Sequence, residues 1–136
     1  MPKLYLDTNI FVYANEDSKN LQGKEIAISS SELIGQAIVC KHYLIISSWA
    51  LEELRRIKKL EQAQIFFKLI EKKKILVAHS EEDIKKAKEQ NPDNFQDELH
   101  GILALKSGAD YIVTRNIKDF KHFEDRIKVT KPEFLL

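Results

Sequence analysis

The sequence predicts an α/β fold, a three-layer α/β/α sandwich around a central, mainly parallel sheet of four to five strands. Short aliphatic runs without polar alternation recur along the chain, as expected for strands that are covered on both faces. Helical patterns of apolar residues separate these runs, and strands that alternate with helices are typical of this layered arrangement. With 136 residues, 43% hydrophobic and 32% charged, the chain fits one folded domain over 1–136.

Five aliphatic runs predict the strands, the last of them at an edge of the sheet: 3–6, 44–47, 75–78, 111–114 and 127–130. A period near 3.6 residues predicts helices over 19–41, 48–59 and 61–74. Ser80 and Asp83 have the spacing of a capping box, which begins a helix that runs to about Gln90. The residues NPDN (91–94) predict a turn, and a further helix over 95–107 ends at Gly108.

Composition limits where the chain acts and what it binds. The 22 Lys and Arg balance the 21 Asp and Glu, so any nucleic-acid surface must come from local clusters of basic residues. Cys40 is the single cysteine, which rules out an internal disulfide and favours a reducing, cytoplasmic location. Asp7 and Asn9 interrupt any apolar core of a signal peptide. The longest mostly apolar stretch, YLIISSWAL, is too short to cross a bilayer.

Acidic side chains fall where the carboxyl ends of the predicted strands meet. Asp7 follows the first strand, Glu53 lies on the helix after the second, and Asp97 begins the helix that leads into the fourth. Asn116 and Asp119 follow the fourth strand. Ligands of open parallel sheets bind beyond this edge, and carboxylate oxygens are the ligands that Mg²⁺ and Mn²⁺ prefer. The sequence therefore predicts a metal site that contains these residues.

Each acid also has a purely structural interpretation. Asp7 could cap the helix that follows it, and Glu53 could be a surface residue paired with Arg56. Asp97 could be a first-turn acid favoured by the helix dipole, and Asp119 could belong to a turn. Taken singly these alternatives stay open, and only the joint pattern favours the metal site.

Three segments carry a resemblance to a known family: YLDTNIFVYA, SSWALEELRR and DELHGILALKSGADYIVTRNIKDF. With them the chain resembles the PIN-domain proteins, in particular the VapC-type toxins. The resemblance implies a metal-dependent ribonuclease that uses Mg²⁺ or Mn²⁺, with its acidic site on Asp7, Glu53 and Asp97. It also implies RNA cleavage that leaves a 5′-phosphate, a homodimer, and a small antitoxin that lays a helix along a groove.

The fourth acidic position departs from the family pattern. Many members carry an aspartate directly after the residues TR, where this chain has Asn116. An amide oxygen can still ligate but lacks charge, and Asp119, three residues on, could supply the charge that is missing. Two further polar residues are assigned to support of the site, Asn9 and Thr114.

Basic and histidine side chains complete the sequence-based assignment. Arg56, one helical turn beyond Glu53, is the preferred RNA contact, with Arg55 and Arg115 as further candidates. The histidines lack the spacing of a zinc site, and His100 is interpreted as a structural hydrogen-bonding residue. The small residues beside it, Gly101 and Ala104, predict close approach of this helix to another backbone.

The leading hypothesis is a metal-dependent endoribonuclease that is the toxin of a toxin–antitoxin pair. One alternative keeps the nuclease but gives it a housekeeping role in RNA processing, without an antitoxin. The other is a non-catalytic RNA-binding or scaffold protein with a degraded metal site. Several apolar residues exceed what a small core needs and could line a groove or dimer face: Phe11, Tyr13, Leu33, Phe66 and Phe67.

Overall fold

The computed structural model describes residues 1–15, 32–36 and 41–136. Its centre is a five-stranded sheet with the order β3-β2-β1-β4-β5. Every neighbouring pair of strands is parallel. The strands are β1 (Lys3–Leu6), β2 (Tyr43–Ser47), β3 (Lys74–Val77), β4 (Tyr111–Val113) and β5 (Lys128–Thr130). All five predicted strands are present, with bounds that differ by at most one residue, and β5 lies at an edge as predicted.

Helices separate the strands as the sequence predicts, and one further short helix, Ile117–Phe120, lies between β4 and β5 where none was predicted. The described helices are α1 (Thr8–Asn15), α2 (within residues 32–36), α3 (Ser48–Arg56), α4 (Leu60–Leu69), α5 (Glu81–Gln90), α6 (Phe95–Lys106) and α7 (Ile117–Phe120). Short 3₁₀ turns cover Glu71–Lys73, Pro92–Asn94, Lys121–Phe123 and Pro132–Leu135. Ser80 and Asp83 form the predicted capping box at the start of α5.

Both faces of the sheet are covered, which confirms the three layers. Successive side chains of β1 point to opposite faces, as they must in a strand. Leu4 and Leu6 belong to a core cluster with residues of α1 to α4. Tyr5 belongs to a second cluster with residues of α6 and α7. The apolar runs of the sequence therefore lack polar alternation because each strand is buried on two sides.

Two helices are shorter than predicted, and one lies mostly outside the described residues. α3 ends at Arg56, after which Lys58 adopts a φ of 60° and turns the chain into α4. The predicted helix 61–74 ends as an α-helix at Leu69, and a 3₁₀ turn leads into β3. Of the predicted helix 19–41, residues 32–36 are helical. Residues 19–31 and 37–40, with Cys40, lie outside the described residues.

Gly101 allows α6 to approach an aromatic ring. A Cβ at this position would lie 2.2 Å from two ring atoms of Phe123, and Phe123 is itself buried. The expectation of close approach to another backbone was wrong in this respect, because the neighbour is a side chain. The absence of a side chain at Gly101 still explains the close approach, since a methyl group at this position would overlap the ring of Phe123.

Three of the apolar residues expected at a partner surface are instead in the core. Phe11, Leu33 and Phe67 are buried in the cluster formed with α1 to α4, so they offer no surface to a partner. Phe66 is half-buried against the same cluster, and the side chain of Tyr13 lies outside the described residues. Among the helices that are described, none has the length and apolar character needed to cross a membrane.

Candidate metal centre

Asp7 and Thr114 lie at the carboxyl ends of the two central strands, β1 and β4. Chain connections leave these strands toward opposite edges of the sheet, and such a switch point is where open α/β sheets bind ligands. The backbone N–H of Asp7 donates to the carbonyl of Val113 at 3.0 Å. The hydroxyl of Thr114 donates to Oδ2 of Asp7 at 2.9 Å. These two bonds fix the carboxylate of Asp7 over the gap between the strands.

The carboxylate of Asp7 is buried, with only 4% of the residue exposed. Its Oδ1 accepts the backbone N–H of Thr8 at 2.8 Å, so Asp7 also serves the start of α1. Burial raises the pKa of Asp7; the charge of His100 and the bond from Thr114 oppose the rise, and the charge of Glu53 adds to it. A buried carboxylate beside a second carboxylate is stabilised by a cation placed next to it.

Glu53 reaches the same pocket from α3. This helix begins at the end of β2, where Oγ of Ser47 accepts the N–H of Ala50 at 3.0 Å. Oε1 of Glu53 accepts the hydroxyl proton of Thr8 at 2.8 Å and a hydrogen bond from Nε2 of His100. Burial alone would raise the pKa of Glu53, but the hydrogen bond and charge of His100 outweigh burial and lower it.

Asp97 enters the pocket from the first turn of α6. The side-chain N–H of Asn94 donates to Oδ2 of Asp97 at 2.9 Å. Burial raises the pKa of Asp97, the bond from Asn94 opposes this, and the charges of Asp7 and Asp119 raise it further. Asp97 therefore lies within electrostatic reach of Asp7, at the same edge of the sheet.

His100 lies at the centre of these acids, a position that the sequence-based assignment missed. Its Nε2 is 3.6 Å from Oδ1 of Asp7 and donates to Glu53. Its Nδ1 is 2.6 Å from the hydroxyl of Tyr5, and that hydroxyl donates to Oγ of Ser47 at 2.8 Å. With the hydroxyl proton of Tyr5 directed to Ser47, Nδ1 donates to Tyr5 and both ring nitrogens of His100 are donors, which is the arrangement of an imidazolium.

Electrostatics agree with a charged His100. Burial alone would lower the pKa of this fully enclosed ring, but the bond to Glu53 and the charges of Asp7, Glu53 and Asp97 raise it instead. One sequence signal could have identified it. His100 lies three residues after Asp97 on α6, and residues three apart share a helix face.

Asn116 and Asp119 lie beside the cluster, after β4. The N–H of Asn116 donates to Oγ1 of Thr114 at 3.0 Å, and the N–H of Asp119 donates to the carbonyl of Asn116 at 3.0 Å. Asn116 is exposed and Asp119 is half-buried. The charge of Asp119 acts on Asp97, which makes it the acid of this segment that faces the cluster. Asn9 is half-buried in the first turn of α1.

The arginines expected to contact RNA already have partners within the protein. Arg55 is 3.7 Å from Glu52, and the guanidinium of Arg56 lies 5.2 Å from the centre of the Trp49 ring. Glu52 also lies 3.4 Å from Nε2 of His79. Glu52 is therefore directed away from the pocket that Glu53 enters, as the helical geometry of adjacent residues requires.

Arg115 is tied to the 3₁₀ turn Pro132–Leu135. Its Nη1 forms an ion pair with Glu133, which belongs to the 3₁₀ turn Pro132–Leu135. The side chain of Arg115 is only 11% exposed. It therefore links the segment after β4 to the segment after β5.

The donor atoms of the pocket fit a hard divalent cation. They are carboxylate oxygens, the ligand type that Mg²⁺ and Mn²⁺ prefer, and Asn116 follows β4 beside them. Among the described residues, no three Asp, Glu, His or Cys side chains are close enough to enclose a metal ion, and His100 holds Oε1 of Glu53. Mg²⁺ often uses one or two protein carboxylates and completes its shell with water and substrate phosphate. Asp7 and Asp97 meet that smaller requirement.

Two solved structures share this fold. A crystal structure of VapBC2 from Rickettsia felis, bound to a DNA fragment from their promoter, is 25% identical in sequence. It covers 94% of this chain and 98% of that chain, with a TM-score of 0.60. A structure of VapBC-1 from nontypeable Haemophilus influenzae is 19% identical, covers 96% of this chain and 98% of that chain, and has a TM-score of 0.58.

Comparisons of the sequence alone, unlike the comparison of structures, identify no relative. No family model matches the sequence, and a search of curated proteins finds no match. The structural likeness nevertheless extends over nearly the whole chain, which confirms the predicted α/β sandwich and the resemblance stated from the sequence. This chain has the fold of the PIN-domain VapC structures.

Proposed function

We propose that this chain is a Mg²⁺- or Mn²⁺-dependent endoribonuclease that hydrolyses phosphodiester bonds of RNA in the cytoplasm. The observation that carries the proposal is the buried carboxylate of Asp7 at the switch point of the sheet. The charge of Glu53 raises the pKa of Asp7, and the charges of Asp7 and Asp119 raise the pKa of Asp97. Several carboxylates against one imidazolium leave the pocket negative, and a divalent cation would offset that charge.

The side chains divide the work of the proposed reaction. Asp7 and Asp97 would hold the metal, with Asp119 or the amide of Asn116 beside them. When bound, the metal lowers the pKa of a water and offsets charge on the scissile phosphate. The bond from Thr114 fixes Asp7. We expect products that carry a 5′-phosphate, as the family resemblance implies.

Glu53 would act from the other side of the pocket. Thr8 and His100 both donate to its Oε1, which orients the carboxylate and leaves Oε2 to face water or substrate. We propose that Glu53 orients a water molecule near the metal rather than filling the coordination shell alone.

The biological role that we propose is that of a toxin with a small antitoxin partner. The two solved structures described above are VapBC complexes, and this likeness supports an antitoxin for this chain. We also propose a homodimer. Apolar surface for such contacts exists on α4 and β3, where Ile65, Leu69 and Leu76 are 63%, 57% and 65% exposed.

A nuclease assay tests the proposed activity. Purified protein should cleave single-stranded RNA with Mn²⁺ or Mg²⁺ and not with a chelator. Asp7→Asn should lower the cleavage rate by about 10²–10³-fold, the loss typical of removing one electrostatic stabiliser. Asp125→Asn is the matched control, because the Asp125 side chain is 75% exposed and lies outside the pocket. Equal rates for wild type and Asp7→Asn would refute the proposed site.

Growth experiments separate the toxin from the alternatives. Expression of the chain should slow growth, and both Asp7→Ala and co-expression of an adjacent small protein should relieve the arrest. Unimpaired growth together with RNA cleavage would favour the housekeeping nuclease. RNA binding without cleavage under every metal condition would favour the non-catalytic RNA-binding protein.

A further inference from the structure

A depression beside the acidic cluster carries an excess of positive charge. It has a volume of about 430 Å³ and is lined by Arg115, Asn116, Ile117, Lys118, Asp119 and Lys131. Three of these side chains are cationic and one is a carboxylate. The depression shares Asn116 and Asp119 with the candidate metal centre, so the two sites are contiguous.

The depression is formed by two strand ends that lie side by side. The segment after β4 supplies five of the lining residues, and the segment after β5 supplies Lys131. The N–H of Thr114 donates to the carbonyl of Thr130 at 2.9 Å, which holds the two segments together. The ion pair between Arg115 and Glu133 joins them a second time. The cations are therefore placed by the sheet itself, at the edge where Asp7 lies.

Two of the three cations have charge to offer a ligand. Arg115 uses Nη1 on Glu133, whereas within the described part of the chain Lys118 and Lys131 form no ion pair with a carboxylate. Lys118 is exposed and Lys131 is half-buried. Their ammonium groups thus give this rim a net positive potential next to a negative pocket.

The basic residues of α3 interact within the protein, Arg55 with Glu52 at 3.7 Å and the guanidinium of Arg56 with the ring of Trp49 at 5.2 Å. A polyanion that approaches the cluster from the side of α7 meets the ammonium groups of Lys118 and Lys131.

We propose that the Lys118–Lys131 rim is a subsite for an RNA phosphate next to the scissile one. The proposal rests on the nuclease function proposed above, and it names the residues that position the strand. A strand whose scissile phosphate lies at Asp7 and Asp97 continues across Asn116, and its neighbouring phosphate falls between the two lysines. Phosphate contacts of this kind give affinity and register without reading the base sequence.

The test measures RNA binding separately from cleavage. A short fluorescein-labelled single-stranded RNA is titrated with protein in a chelator, and fluorescence anisotropy is recorded at several salt concentrations. The double variant Lys118→Ala/Lys131→Ala should bind roughly tenfold or more weakly at low salt, because each contact is a charged hydrogen bond. The slope of log affinity against log salt should become shallower by about 0.7, since one neutralised phosphate on a single strand contributes about 0.7.

A charge-matched control distinguishes a subsite from general attraction. Lys68→Ala/Lys72→Ala removes the same charge from exposed positions of α4 and the turn before β3, and it should leave both affinity and slope unchanged. Equal losses in the two double variants, or no loss in either, would overturn the subsite. Binding that depends on Lys118 and Lys131, with no cleavage under any metal condition, would overturn the nuclease and leave the subsite standing.

Discussion

Replacing Tyr5 by phenylalanine removes one oxygen atom from the centre of the molecule. That hydroxyl is completely buried and joins Ser47 on β2 to His100 on α6, at 2.8 Å and 2.6 Å. The ring itself packs in the core cluster with α6 and α7, and phenylalanine retains those contacts. The substitution therefore isolates the hydrogen bonds from the packing.

The two partners of the hydroxyl are affected unequally. Ser47 keeps the bond from the N–H of Ala50, so its oxygen stays satisfied. Tyr5 is the partner described for Nδ1 of His100, and a buried donor that loses its partner costs about 1–3 kcal/mol. With a further contribution of about 0.5–1.5 kcal/mol from the bond to Ser47, we expect the free energy of unfolding to fall by roughly 1.5–4.5 kcal/mol.

Urea denaturation followed by circular dichroism measures this loss. Tyr43→Phe is the matched control, because Tyr43 is half-buried on β2 with Lys73 over its ring and lies outside the network. The control should change the free energy of unfolding by less than about 0.5 kcal/mol. A Tyr5→Phe protein as stable as wild type would mean that the hydroxyl does not hold His100.

Two further substitutions test the charge and the packing around the site. Burial raises the pKa of Asp97, so the folded protein binds the proton of this carboxyl more tightly than the unfolded chain does. The stability that comes from this proton is fully present below the unfolded pKa and is lost as pH rises through the folded pKa. Asp97→Asn removes the buried charge and keeps an acceptor for Asn94, so it should raise the melting temperature of the metal-free protein at neutral pH. The difference from wild type should shrink toward acidic pH. A lower melting temperature of the variant at neutral pH would contradict this reasoning. Gly101→Ala should cost roughly 3 kcal/mol by overlap with Phe123, measured by urea denaturation, and a stable variant would show that the ring can move away. Gly35→Ala, with nothing within 4 Å of the added Cβ, is its control and should be neutral or stabilising by up to about 1 kcal/mol.

The fold was predictable because its determinants are local. Each strand is a short aliphatic run, and burial on both faces of a parallel sheet removes the polar alternation that would have obscured it. The bounds of α3 and α4 were not predictable to the same degree. The left-handed conformation of Lys58 and the 3₁₀ turn before β3 depend on how the chain must return to the sheet, which no local pattern encodes.

The acids of the candidate site were predictable from their position relative to strand ends. A residue directly after a buried strand lies at the sheet edge whatever its partners are, so Asp7, directly after β1, could be placed without tertiary information. Glu53 was separable from Glu52 because adjacent helix residues point about 100° apart.

The hydrogen-bond network was not predictable, because its links span the chain. Tyr5 is 42 residues from Ser47 and 95 residues from His100. In the sequence, Tyr5 looks like an ordinary core residue of a strand, and Ser47 looks like a helix cap, which it also is. Only tertiary packing reveals that a cap, a core ring and a helix histidine form one chain of hydrogen bonds.

The same network explains how the acids of the pocket differ from one another. His100 donates to Glu53, and the pKa of Glu53 is lowered. Asp7, whose Oδ1 lies 3.6 Å from the imidazolium nitrogen, receives less compensation, and the pKa values of Asp7 and Asp97 are raised. The positive charge of His100 thus acts mainly on Glu53. Burial, the largest cause of the raised pKa of Asp7 and of Asp97, is therefore offset less at these two acids than at Glu53, which supports the proposal that Asp7 and Asp97 would hold the metal.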